Sequence, residues 1–164
     1  MKEFSNLAAF ATHLAEVSLL EVVALHHGLE KVAVGIENTA KKKIGHYQAE
    51  SGPFPKWEEL AESTKADRLN KGYDPDEPLL RKGDLRDSIQ HEVSGLEAVI
   101  GSKSEIAAYQ EFGTKNIPPR PFIGPAAFEN KEKIERILGE AAVAGIVGGR
   151  LIHPGLGYDF KSKG

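Results

Sequence analysis

Ser88-Ile89-Gln90-His91-Glu92-Val93-Ser94-Gly95-Leu96-Glu97-Ala98-Val99-Ile100 is the stretch that separates this chain from an all-helical one. β-Branched and apolar residues alternate with polar ones on both sides of Ser94-Gly95, the pattern of two strands joined by a tight turn, with Val99-Ile100 departing from strict alternation. Leu79 to Asp87 leads into this hairpin. Beyond it, Ser102 with Glu105 three residues later forms a capping box, predicting a helix with Ile106, Ala107, Tyr109 and Gln110 on its inner face and Gly113 at its end. Asn116 to Pro125 then holds four prolines and reads as an extended, stiffened segment.

Helical spacing surrounds the hairpin on both sides. Phe4, Leu7, Ala11 and Leu14, then Val22, Leu25, Leu29, Val32, Ile36, Ala40 and Ile44, recur every three or four residues with no proline before Tyr47. Ser18 before Glu21 offers a second capping box, which predicts a shorter helix followed by a longer one. Gly28 and Gly35 each cost this helix about 1 kcal/mol relative to alanine and mark close packing against a neighbour. Downstream, Pro125 opens a helix whose stripe runs through Ala126, Ala127, Phe128, Ile134, Ile137, Leu138, Ala141 and Ala142. Between these, Ser51 to Lys56 is a turn, Trp57 to Thr64 offers one or two helical turns, and Lys65 to Pro78 reads as a long surface loop. The reading is an α+β domain over residues 1–150, with a long N-terminal helix and a C-terminal helix packed on a small antiparallel β-sheet. The third strand is left open, and residues 151–164 form an irregular tail.

Composition narrows the function. The 164 residues suit one core, and 40% hydrophobic with 27% charged residues is ordinary for a globular protein. Absence of cysteine removes disulfides, thiol nucleophiles and Cys-ligated zinc. No uninterrupted 18-residue apolar run occurs, so membrane insertion is not expected. The net charge of -3 divides into 14 basic against 19 acidic residues over 1–119 and 7 against 5 over 120–164, which argues against a nucleic-acid grip as the main task.

Phosphate-binding glycine loops, the nucleophile elbow and the zincin helix signature are all missing from the sequence. Asp74-Pro75-Asp76-Glu77 resembles half a calcium loop, but leucines stand where its glycine and closing glutamate belong, at 79 and 85. Adjacent His26 and His27 point about 100° apart on a helix, which does not suit one shared metal. Glu58, Glu59 and Glu62 read as the wet side of a short helix, and Lys41-Lys42-Lys43 as cations complementing a helix C-terminus. The chain is expected to be no enzyme and to need no cofactor and no metal.

Pro78-Leu79-Leu80-Arg81-Lys82-Gly83-Asp84-Leu85-Arg86-Asp87-Ser88-Ile89 is a leucine-rich lead into a Gly-x-Leu-x-x-Ser-Ile strand start. Ala108-Tyr109-Gln110-Glu111-Phe112-Gly113-Thr114 with Pro118-Pro119-Arg120-Pro121-Phe122 pairs a Gly-Thr with a Pro-x-Arg-Pro-Phe. In both segments the chain resembles the tail-completion and virion-morphogenesis proteins of tailed phages, Pro119 standing where alanine is frequent in that family. Trp57-Glu58-Glu59-Leu60 followed by Thr64 adds a third likeness, so the resemblance covers roughly residues 15–145. It implies a structural protein of the virion, forming a six-fold ring at the head-tail junction, with other neck, connector and tail proteins as partners, DNA only passing through, and no membrane. A small nucleic-acid-binding or regulatory module using Lys41 to Lys43 is the alternative. Gly83, Leu85, Ser88, Tyr109, Glu111, Gly113, Thr114, Pro118, Arg120, Pro121 and Phe122 are the candidate interface or scaffold positions. Within them, Glu111 and Arg120 lie where they can pair across the turn or reach a neighbouring subunit. Loop 65–78 and tail 151–164 are expected to be partner contacts.

Overall fold

A computed structural model describes residues 6–146. The chain runs α1 (Leu7–Lys43), α2 (Glu62–Asn70), α3 (Asp84–Asp87), β1 (Ile89–Ser94), β2 (Glu97–Ser102), α4 (Glu105–Phe112), α5 (Ile123–Glu129) and α6 (Lys131–Ile146). This is the α+β arrangement expected, with a two-stranded sheet among the described residues and no third strand. The expected tail 151–164 lies outside the described residues.

The α1 helix is continuous. Asn6 caps it by accepting the Ala9 N–H at 2.8 Å. The predicted break at Ser18 does not occur, because no glycine or proline lies between Leu7 and His27 and a serine inside a helix costs only a few tenths of a kcal/mol. Its C-terminal half supplies Val32, Ile36 and Ala40 to a core completed by Ile44, Trp57, Ile89, Ala107, Phe122 and Ala126. Helix α6 packs antiparallel along α1. A Cβ placed at Gly28 would sit 3.0 Å from the Ala141 Cβ, and one at Gly145 2.3 Å from the Glu21 Cα, so glycine permits the close approach at both crossings. The stripe predicted to run on from Ala126 to Ala142 is divided at Asn130. There the side-chain amide donates to Ala126 O and to Thr39 Oγ1, stitching the α5–α6 joint onto α1.

The hairpin pairs Ile89 with Ser102, His91 with Ile100 and Val93 with Ala98 on the face turned to α1. Val99 faces solvent, so the apparent irregularity in the sequence is an exposed apolar residue on a regular strand. Gly95 and Leu96 form the two-residue turn, with φ of +58° at Gly95, where a glycine is best accommodated. His26 of α1 meets that turn through its Nδ1, 2.8 Å from Gly95 O.

Four local readings are corrected. The helix predicted over 57–64 lies instead at Glu62–Asn70, because Trp57 is held in extended chain by its N–H on Gln48 O at 2.9 Å. Loop 65–78 is therefore partly helical and well pinned: buried Arg68 donates from Nε to Asp74 O (2.6 Å) and from Nη2 to Leu80 O (2.5 Å). For α4 the cap position is Ser104, while Ser102 belongs to β2 and its hydroxyl accepts the Ser104 N–H at 3.0 Å. Of the inner face predicted for α4, Ala107 is buried, but Ile106 and Tyr109 are exposed.

His91 engages Glu37 through Nδ1 and Glu30 through Nε2 (3.3 Å), tying β1 to α1. Hydrogen bonding to Glu37 raises the His91 pKa above its ordinary value, and hydrogen bonding to Lys41, then to His91, lowers that of Glu37. A raised histidine contributes stability that is complete below its unfolded pKa and lost as pH climbs through the folded one; a depressed carboxylate contributes above its unfolded pKa and loses it on acidification. This cluster is thus expected to contribute most in mildly acidic buffer and to lose its contribution as pH rises through the raised His91 pKa. His91→Gln is expected to flatten that decline, as followed by melting temperature against pH. An unchanged profile contradicts the assignment.

Candidate structural site

The Gly-Thr to Arg-Pro-Phe segment folds into a brace. Helix α4 ends at Gly113, whose φ of +74° turns the chain back, and a Cβ there would meet Ile117 O and Pro119 at 3.0 Å. Thr114 closes the following turn: its N–H donates to Ile117 O (2.9 Å) and its Oγ1 accepts from Asn116 N (3.3 Å) and Ile117 N (3.1 Å). The partly buried Pro118 and the exposed Pro119 then carry the chain back beside α4, where Arg120 N–H meets Gln110 O at 2.6 Å.

Glu111 is the centre of the brace. Its Oε2 accepts the N–H groups of Phe122 (2.7 Å) and Ile123 (3.0 Å), and its Oε1 that of Gly124 (2.8 Å). These are first-turn donors of α5, which have no partner inside their own helix. A carboxylate there satisfies them and complements the positive end of the helix. Gly124 makes room, since a Cβ at that point would lie 2.7 Å from the Phe54 ring and 3.3 Å from Glu111 Oε1.

Arg120 points the other way, into the protein. Only 5% exposed, it donates from Nε and Nη2 to Glu58 O (3.2 and 3.0 Å) and from Nη2 to Glu59 O (3.1 Å). Burial pushes its pKa down from the usual arginine value. The indole N–H of buried Trp57 donates to Pro121 O at 3.0 Å, and Leu60 N–H donates to the Tyr47 hydroxyl at 3.1 Å. Residues 47–60 and 118–124 are thereby clamped together, and Phe122, 0% exposed, fills the core beneath.

Glu111 and Arg120 do not pair with each other, and both are spent on this chain's own backbone. The first motif forms a separate knot. Gly83 (φ +94°) precedes α3, Leu85 packs on the core, and the Ser88 hydroxyl lies 2.7 Å from both Leu85 O and Ser102 Oγ. Through Ser102 and Ser104 this knot reaches the start of α4. Of the candidates, Thr114 is exposed but tied into its turn, while Tyr109 stands half-exposed on α4. Sequence reading passed over Asn130, Arg68 and Gln48. Gln48 donates to Lys43 O (3.2 Å) and His46 O (2.8 Å), and such bonds to backbone leave no trace in residue spacing.

A cleft of about 550 Å³ opens beside the Arg120 clamp, lined by Tyr47, Gln48, Lys56, Trp57, Glu58 and Glu59 among others. Glu58 contributes its carbonyl to the clamp, and the side chain of Glu62 is 91% exposed on α2, on the wet side expected for it. The Lys41 to Lys43 cluster is divided as well. Lys41 pairs with Glu37 at 2.5 Å, while Lys43 is buried against Glu129 Oε1 at 2.7 Å and Gln48 Oε1 at 3.2 Å. No group of three His, Cys, Asp or Glu side chains suited to a metal occurs among the described residues.

Fold and brace together define a class: a small α+β scaffold whose motif residues fix backbone shape. The model of the phage virion morphogenesis family matches residues 6–142, and the chain belongs to that family. Neither the curated proteins nor the solved structures contain a significant match to it. Membership makes it a phage structural or assembly protein associated with the virion.

Proposed function

We propose that the chain is a non-enzymatic subunit of the neck or tail-completion region of a tailed-phage particle. Copies form a ring at the head-tail junction that joins tail to head and leaves a passage for DNA. Its partners are further copies of itself, six in the full ring, and neighbouring neck, connector and tail proteins, with assembly in the host cytoplasm. The observation that carries this reading is the family match over residues 6–142, within which every candidate motif residue but Tyr109 and Pro118 has a place in the core, a turn or a hydrogen bond made inside the chain. The acidic surplus of residues 1–119 suits a lumen that does not hold passing DNA. Deleting the gene is expected to leave filled heads and separate tails in the lysate by electron microscopy, with joining restored by the gene in trans. Normal virions from the deletion overturn the proposal.

The nucleic-acid-binding alternative loses support from the division of its lysine cluster. In a gel shift with duplex DNA at about 150 mM salt, only weak retardation with no steep salt dependence is expected. Tight binding lost in Lys42→Glu would favour the alternative.

A further inference from the structure

The N-terminal half of α1 stands apart from the core. Helix α6 covers one face of α1 as far as Glu21, where Gly145 packs. One and two heptads further toward the N-terminus, close to that same face, come Leu14 and Leu7, 51% and 81% exposed. Leu19, Leu20, Val22 and Val23 are exposed beside them, and no described element covers this stretch. By length and composition α1 is apolar enough to cross a membrane over an 18-residue window, which the interrupted run of apolar residues in the sequence did not lead us to expect. A second apolar stripe lies elsewhere, on α4: Ile106, Tyr109 and Phe112, at helical spacing and 58%, 47% and 81% exposed.

These two surfaces cannot meet within one chain. Helix α4 packs through Ala107 into the core cluster that holds Ile36, and Leu14 lies 22 residues up a continuous helix from Ile36, about 33 Å away. We infer that the N-terminal half of α1 docks on the α4 stripe of a second copy of this chain, the contact resting on the assembly reading above and naming its surfaces. Charge at the two ends of α4 suits this occupant. From Leu7 to Glu30 there is no lysine or arginine, and Glu16, Glu21 and Glu30 are acidic, whereas exposed Lys103 and Lys115 stand just outside α4, beyond the helix's own Glu105 and Glu111. A bilayer fits less well, since Glu16 and Glu21 interrupt the apolar stretch and an interfacial helix draws on lysine and arginine along its polar face, where this stretch has none. The contact is heterologous, so copies must close into a ring or grow as a filament. With an eight-residue helix on one side it sits near the small end of stable interfaces, roughly 1,000 Å², so closure of the ring strengthens each contact.

Leu14→Asp and Phe112→Asp separate the two surfaces, and both keep the fold because both positions are exposed, which circular dichroism and the melting temperature check. Each variant alone is expected to run as a monomer in size-exclusion chromatography with light scattering, while full-length wild type forms the assembly. Mixed one to one, they are expected to give a dimer and nothing larger, since one intact contact is restored. Assembly by Phe112→Asp alone means that α1 pairs with α1 and overturns the inference. Assembly by Leu14→Asp alone overturns it too, while leaving the proposed function standing. A benzophenone at position 14 is expected to crosslink to residues 103–115 of another copy. Crosslinks to residues 147–164 of the same chain, or to phosphatidylglycerol vesicles, overturn it. Wild type that stays monomeric and is missing from particles defeats the assembly reading itself.

Discussion

Glu111→Ala is expected to lower the unfolding free energy by about 3 kcal/mol, a large effect for a partly exposed side chain. Three N–H groups, those of Phe122, Ile123 and Gly124, converge on its carboxylate within 2.7–3.0 Å. Each such bond to a charged acceptor is worth about 1.5–3 kcal/mol, and a buried donor left without a partner costs about 1–3 kcal/mol. Part of that is regained because water reaches the site once the side chain is shortened. Glu111→Gln keeps one carbonyl oxygen and is expected to lose about half as much. Urea unfolding followed by tryptophan fluorescence reads the difference directly, since Trp57 is clamped to Pro121 next to this brace. A loss below about 1 kcal/mol for Glu111→Ala would mean that the carboxylate is no structural anchor.

Phe122→Ala is expected to cost about 4 kcal/mol, the usual range for a phenylalanine emptied from a closed core. Its ring is fully buried among Val32, Ile36, Trp57, Ile89 and Ala126, residues from four separate parts of the chain that collapse poorly onto a void. Phe112→Ala, ten residues earlier, is the control. That ring is 81% exposed, so its removal is expected to change stability by less than about 0.5 kcal/mol. Equal losses for the two phenylalanines contradict this division between an inward brace and an outward α4.

Much of the fold was legible because burial imposes periodicity. The α1 stripe from Val32 to Ala40 and the alternation of Ile89, His91 and Val93 both reflect one side of an element turned to the core. Helix α2 was missed for the converse reason. Its one large apolar residue, Leu69, is exposed, and what it buries is Arg68, held by carbonyls of Asp74 and Leu80. No hydropathy pattern signals a guanidinium that docks on backbone.

The same physics governs the motif segments. Gly113 and the prolines at 118, 119 and 121 announced a turn and a stiff arm, and the structure has both; the arm stops at Phe122, because α5 begins at Ile123, so Pro125, expected to close the arm and open the helix, sits within the first turn of α5. That Glu111 caps α5, and that Arg120 clamps residues 58–59, was not legible. Their partners are main-chain groups, which every residue carries, so the pairing depends on where the folded chain puts them. Fold geometry also decided between a self-contained core pocket and a subunit contact for Phe122, in favour of the pocket.

In the proposed role this polypeptide is a building block of the particle, its motif residues used for shape and its outer surfaces for joining. Quantitative mass spectrometry of gradient-purified virions, with antibody labelling in the electron microscope, checks that role. The chain is expected in a fixed ratio to the tail proteins, with label confined to the head-tail junction. Virions free of the chain, or label spread without preference over the particle, would contradict it.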